Sequence, residues 1–224
     1  MAIVLKKFGL SIMLVPKGAS TSIKHLAFEI ENGYPFKPYV VNSRKRFIHQ
    51  LYHSRMFNAD KDTVNWNGDV FAVIRDPVDR ILSCHSNRVM HYGELDSIAL
   101  TDEDKELGVE ARPSFELFIE HLDRYRQLSD KIKHHSLPME KFLGNRADRY
   151  TRIFDSADLT ELWEDLRQRV GTLPDVPREQ TGGADKKERT ISKATLDRIH
   201  QIFANDYEAY GGFLINRTPT YTVV

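Results

Sequence analysis

Three sets of residues in this chain could do chemistry on a phosphorylated ligand. The first is the run Val15-Pro16-Lys17-Gly18-Ala19-Ser20-Thr21-Ser22-Ile23-Lys24. Gly18 lets the backbone come close to a ligand, Ser20, Thr21 and Ser22 offer hydroxyl donors, and Lys17 sets an ammonium at the entrance. The same hydroxyls would also serve as ordinary helix caps. The second set is Arg75 with Ser83 eight positions later. A guanidinium fork matches two oxygens of a phosphate, although Arg75-Asp76-Pro77 suits a strand-ending turn equally well. The third set is histidine. His49 and His53 lie between the other two sets, and an imidazole is the side chain that most readily accepts a proton near neutral pH. His85, His91, His134 and His135 could line a cleft or face water.

The surrounding patterns say what must hold these residues. Ile12 to Val15 is a short apolar run ended by Pro16, and Ile23, Leu26, Ala27 and Ile30 then recur at helical spacing up to Gly33. The basic run therefore joins a strand to a helix, where unpaired backbone N–H groups and the helix dipole favour an anion. Val70 to Ile74 reads as a buried parallel strand, and Val78, Ile81, Leu82 and His85 trace the helix after it, so Arg75 sits at a second strand end. A polar helix is expected over Phe47 to Met56, which would set His49 and His53 on one face. Further helices are expected around Phe115 to Leu122, Leu159 to Leu166 and Ser192 to Tyr210, with a strand at Tyr150 to Phe154 and a polar loop from Gly171 to Arg189. Alternating strands and helices predict an α/β fold with a parallel sheet covered on both sides. At 224 residues the default is one domain, 1–224. The stretch 93–112, with seven acids and two bases, is expected to be an exposed insertion or lid.

Lys and Arg equal Asp and Glu, 32 against 32, so no global field draws the chain to nucleic acid or an anionic membrane. Residues 1–60 nevertheless carry nine basic residues against three acidic ones, and Arg44-Lys45-Arg46 could touch an anionic acceptor. No apolar run approaches the ~18 to 20 residues that span a bilayer. The first ten residues lack the pattern of a signal peptide, and Cys84 is the only cysteine, so a cytoplasmic setting is expected. No cysteine and histidine cluster or H-E-x-x-H motif suggests a metal.

An ATP-binding P-loop places its lysine at the end of the loop, beside a hydroxyl for magnesium; here the lysine comes first and follows a proline. The run Pro16 to Lys24 instead resembles the 5′-phosphosulfate loop of sulfotransferases that use 3′-phosphoadenosine 5′-phosphosulfate (PAPS). Phe71 to Ser83 resembles the 3′-phosphate motif of the same enzymes, most of all their carbohydrate-directed branch and its soluble bacterial relatives. The resemblance implies a P-loop-like sheet flanked by helices, PAPS as co-substrate, 3′-phosphoadenosine 5′-phosphate (PAP) as product, a hydroxyl acceptor of carbohydrate type, and no metal. It assigns Pro16, Lys17, Gly18, Ala19, Ser20, Thr21 and Ser22 to the 5′ group, and Arg75 and Ser83 to the 3′-phosphate. Lys24 and the stretch 186–189, including Arg189, would add charge around the nucleotide. Lys17 would stabilise the leaving group, and His53, 22 residues before Arg75, occupies a place similar to that of the catalytic histidine, with His49 as the alternative base. The glycine and basic pattern that closes over the 3′-phosphate in the cytosolic small-molecule branch is missing. An ATP-dependent kinase and a catalytically silent nucleotide-binding protein are the competing readings.

Overall fold

A computed structural model of the chain describes residues 2–174, 189–216 and 218–224. They form two compact units. The first holds the chain up to Arg75, the stretch that starts at Met139, and Glu208–Ile215; the second holds Asp76–Pro138, the residues leading to Tyr207, and the C-terminal stretch from Asn216.

The elements that matter most for function follow in chain order as β1 (Ala2–Leu5), β2 (Leu10–Leu14), α1 (Ser20–Asn32), α2 (Ile48–Leu51), β3 (Asp69–Ile74), α3 (Pro77–Cys84), β4 (Arg152–Asp155) and α4 (Thr160–Val170). The first unit is built on a four-stranded sheet in the order β1-β2-β3-β4. β2, β3 and β4 run parallel, with Leu14 opposite Val73 and Phe71 opposite Arg152. β1 is antiparallel to β2, so the sheet is mixed where a wholly parallel one was expected. The cause is the link: a single turn at Lys6–Phe8, closed by Gly9 at φ 61°, joins the two strands, and a parallel pairing would need a crossover of a dozen residues or more. Every residue of β2 is buried, as are Val70 to Ile74 in β3, which is why both read as continuous apolar runs. Ile23, Leu26 and Ala27 of α1 and Leu162 and Leu166 of α4 share one apolar cluster with Ile12, Leu14, Phe71 and Val73.

The helix expected over Phe47 to Met56 is cut short. α2 ends at Leu51, and a separate turn of helix begins at Phe57. Tyr52 leaves the helix with its hydroxyl donating to Glu31 of α1 at 2.6 Å, so His49 lies on α2 while His53 falls beyond it and the two share no helical face. Upstream, Tyr39–Val41 and Arg44–Arg46 form an exposed two-stranded hairpin, turned by Asn42 and Ser43 at φ 50° and 59°. Trp66 packs edge-on against Phe57 and tilted against Tyr150 and donates to the Lys61 carbonyl, and Trp163 packs against the apolar cluster, so both indoles serve this unit's packing.

In the second unit α3 is capped by Asp76, whose carboxylate accepts from the backbone of Val78 and Asp79 at 2.9 and 3.1 Å, with Pro77 in the first turn where its missing N–H is harmless. Val78, Ile81 and Leu82 pack with Phe118, Ile119 and Ile199. The acidic stretch 93–112 is tied into this core. Leu95 and Val109 are buried in it, Asp102–Glu106 is helical, and the buried Asp104 accepts from Arg124 at 3.0 Å and from the Thr101 hydroxyl. Composition showed its charge but could not show that Arg124, twenty positions on, meets one of those acids. The last expected helix is interrupted at Phe203, giving Lys193–Ile202 and Ala204–Tyr210, and Arg189–Ile191 pairs in parallel with Tyr221–Val223. Among the described residues no helix is long and apolar enough to cross a membrane, and no group of three or more metal-ligating side chains comes together.

Candidate active site

The loop between β2 and α1 is bent by three consecutive residues. Lys17 and Ala19 have φ of 66° and 54°, in the left-handed region that a side chain makes unfavourable by roughly 1 to 2 kcal/mol each. Between them, Gly18 donates to the Val15 carbonyl at 3.3 Å and is packed so closely that a Cβ there would stand 2.8 Å from Cγ2 of Val15. Such a turn persists only where its surroundings hold it. One clamp comes from β3: Arg75, one residue past the strand end, donates from Nη1 to the Lys17 carbonyl at 2.9 Å.

The turn delivers the chain to the start of α1 with Ala19 as N-cap, a residue without a side-chain acceptor, and no side chain caps the helix. The first-turn N–H groups, the hydroxyls of Ser20, Thr21 and Ser22, and the positive end of the dipole therefore gather at one place. Pro16 and Gly18 are buried, whereas Lys17, Ala19, Ser20, Thr21 and Ser22 are partly exposed. An anionic group fits this arrangement, because the donors around it are cationic or neutral.

Behind the loop, Lys24 is fully buried on α1. Its Nζ lies 2.9 Å from Nδ1 of His49 and donates to Oγ of Ser54 at 3.2 Å. Burial pulls its pKa from 10.5 down to about 8, with no carboxylate contributing. His49 is exposed, and its Nε2 is 3.5 Å from Oγ1 of Thr21, so the loop, α1 and α2 meet through one lysine and one imidazole. The packing of α2 on α1, secured by Tyr52 and Glu31, brings His49 to this spot across 25 residues of chain. Sequence reasoning placed Lys24 at the nucleotide's periphery and did not find Ser54; no spacing signal announces either contact.

Arg75 is partly buried, and its clamp on Lys17 is a second contact that its strand-end position did not announce. His53 is exposed in the segment between α2 and Phe57. Ser83 is half-buried in the last turn of α3, in the second unit, immediately before a π-helical stretch, His85–His91. Arg189, also in the second unit, opens the strand Arg189–Ile191, while 186–188 lie outside the described residues. His85 is a packing residue there. Its ring meets Phe115 and Phe118, its Nε2 is 2.9 Å from the Pro113 carbonyl, and burial lowers its pKa. His134 and His135 are half-buried on the helix Asp130–Ser136, and His91 is exposed against Tyr92.

A strand-to-helix loop with an opening lysine, a closely packed glycine and a strand-end arginine bonded to the Lys17 carbonyl gathers donors that suit an anion. No curated protein and no solved structure matches the chain. The family model described as "Sulfotransferase family", however, matches residues 1–213. On that match, which spans both the loop at Lys17 and the strand end at Arg75, the chain belongs to the sulfotransferase family.

Proposed function

We propose that this protein transfers a sulfuryl group from PAPS to a hydroxyl acceptor of carbohydrate type, releasing PAP. The observation that carries this reading is the left-handed turn at Lys17 to Ala19, clamped by Arg75 and opening onto the uncapped start of α1. When bound, PAPS would supply an activated sulfuryl group on a good leaving oxygen. The residues of the chain then have to position and neutralise. Lys17 and the N–H groups of the α1 first turn hold the 5′ anionic group, and the Lys17 ammonium compensates the charge that develops on the leaving oxygen. The planar guanidinium of Arg75 and Ser83 in the same motif hold the 3′-phosphate. His53 takes the acceptor's proton, since a base needs an imidazole nitrogen that is not already engaged, and Nδ1 of His49 faces Lys24.

The carbohydrate class of the acceptor rests on the resemblance of both motifs to the carbohydrate-directed branch. Cys84, buried and the chain's only cysteine, is compatible with the cytoplasmic setting we propose. Calorimetry tests the donor: PAP binds without magnesium, and ATP binds more weakly. Equal affinity for ATP together with a magnesium requirement would replace this reading with the kinase one.

A further inference from the structure

We propose that Lys24 is a positioning residue which fixes His49 in its Nε2–H tautomer, so that His49 donates a hydrogen bond to the 5′ anionic group of the nucleotide and is not the general base. The identity of the anion rests on the functional reading above, and the rest on geometry. An ammonium has donors and no lone pair. With Nζ of Lys24 2.9 Å from Nδ1 of His49, the imidazole nitrogen must be the acceptor, and a neutral ring that accepts at Nδ1 carries its proton at Nε2. A doubly protonated ring is excluded for the same reason, because two donors would then face each other inside the protein. Burial lowers the pKa of Lys24 only to about 8, so the lysine remains an ammonium at neutral pH.

The proton at Nε2 is directed to the loop. Nε2 lies 3.5 Å from Oγ1 of Thr21, a long contact that an anion seated on the first turn of α1 can replace with a shorter, charge-assisted one. Lys24 itself adds a positive charge beneath that seat. Its side chain has no exposed surface, its second bond goes to the neutral Ser54 hydroxyl, and among the described residues no carboxylate offsets it. A buried cation without a counter-ion is costly in the free protein, and the cost falls when an anion arrives nearby. The fold therefore keeps a charge at a price in stability that only the ligand recovers.

Two measurements test this separately. In protein carrying ¹⁵N-labelled histidine, the His49 signals, assigned by their loss in His49→Gln, should show an unprotonated Nδ1 and a protonated Nε2 at neutral pH. In Lys24→Met the Nδ1 signal should move to that of a nitrogen with no hydrogen-bond donor facing it. A proton on Nδ1 in the wild type overturns the proposal, as does an Nδ1 signal unchanged in Lys24→Met. The second measurement compares PAP with adenosine 3′-monophosphate, which lacks the 5′ group. His49→Ala should weaken PAP about tenfold or more and leave the monophosphate unaffected, the scale of one hydrogen bond to a charged group. His49→Gln, whose amide can take the place of Nε2–H, should recover most of the loss, and His49→Asn should not. Equal losses for both ligands, or no recovery by glutamine, would overturn the donor role. If the wild-type protein fails to bind PAP at all, the functional reading falls and the donor role with it, whereas the tautomer result still decides whether Lys24 positions the ring.

Discussion

Replacing Lys24 by methionine should change how stability depends on pH, with a sign and size set by burial. The folded-state pKa of Lys24 is about 8 against an ordinary 10.5. Below about pH 8 both folded and unfolded chains hold the proton, and the folded one pays the full penalty of a buried ammonium. Between 8 and 10.5 the unfolded chain binds more protons than the folded one, so the wild type gains stability as pH rises. Each pKa unit is worth 1.36 kcal/mol, which makes the whole change about 3 kcal/mol. Methionine has a similarly flexible side chain and does not titrate. The lysine's bonds to His49 and Ser54 are lost in the variant, at about 1 kcal/mol each, and they set the offset at neutral pH, not its change on going alkaline. Urea unfolding followed by tryptophan fluorescence reads the right unit, since Trp66 and Trp163 both belong to the one that holds Lys24. The difference between variant and wild type should move by about 3 kcal/mol in favour of the wild type from neutral to about pH 10.5; other titrating groups cancel in that difference. A difference that stays flat across this range would show that Lys24 keeps its ordinary pKa and that the burial argument is wrong.

Four other outcomes are expected. Lys17→Ala should lower turnover by ~10² to 10³ while PAP still binds, because the ammonium acts mainly on charge formed in the transition state; normal turnover would remove Lys17 from catalysis. Arg75→Ala should weaken PAP by ~1.5 to 3 kcal/mol more than it weakens adenosine 5′-monophosphate, which keeps the loop contact but lacks the 3′-phosphate. Equal losses would mean that Arg75 works only through the Lys17 carbonyl. Gly18→Ala should lower Tm and PAP affinity together, since the new methyl meets the buried Val15 and overpacking commonly costs ~1 to 3 kcal/mol; unchanged values would show that the loop has room. His53→Ala should reduce turnover by roughly 10² to 10⁴ and remove the acidic limb of the pH profile with PAP binding intact, and a normal profile would end its assignment as base.

The strand, loop and helix around Lys17 were legible in the sequence because the whole pattern is contiguous: an apolar strand, a lysine, a glycine, three hydroxyls and a periodic helix within about twenty residues. The same holds for β3 and α3, where a strand, an Asp cap and a proline in the first turn follow one another directly. What escaped the sequence depends on pairs distant along the chain. Lys24 meets His49 across 25 residues of hairpin and irregular chain, and nothing in the local pattern says that a lysine three positions after Thr21 turns inward. The helix around His49 read as longer than it is because the Tyr52 hydroxyl leaves it for Glu31. The acidic stretch 93–112 shows the same limit: its charge is visible in a sequence, and the pairing of Asp104 with Arg124 is not.

Lys17 and Arg75, which read as independent phosphate anchors in the sequence, share a hydrogen bond, and the sheet explains why. β2 and β3 are adjacent parallel strands in register, Leu14 opposite Val73, so the loop after one and the residue after the other leave the sheet at the same carboxyl edge. That edge is where open α/β sheets bind ligands. One residue beyond β3, Arg75 is already within reach of the Lys17 carbonyl, and its bond there supports the left-handed turn that presents the lysine. The arginine therefore cannot be removed without also loosening the loop proposed to hold the 5′ group. In the comparison of PAP with adenosine 5′-monophosphate, the loss common to both ligands measures the clamp, and the remainder measures the 3′-phosphate contact.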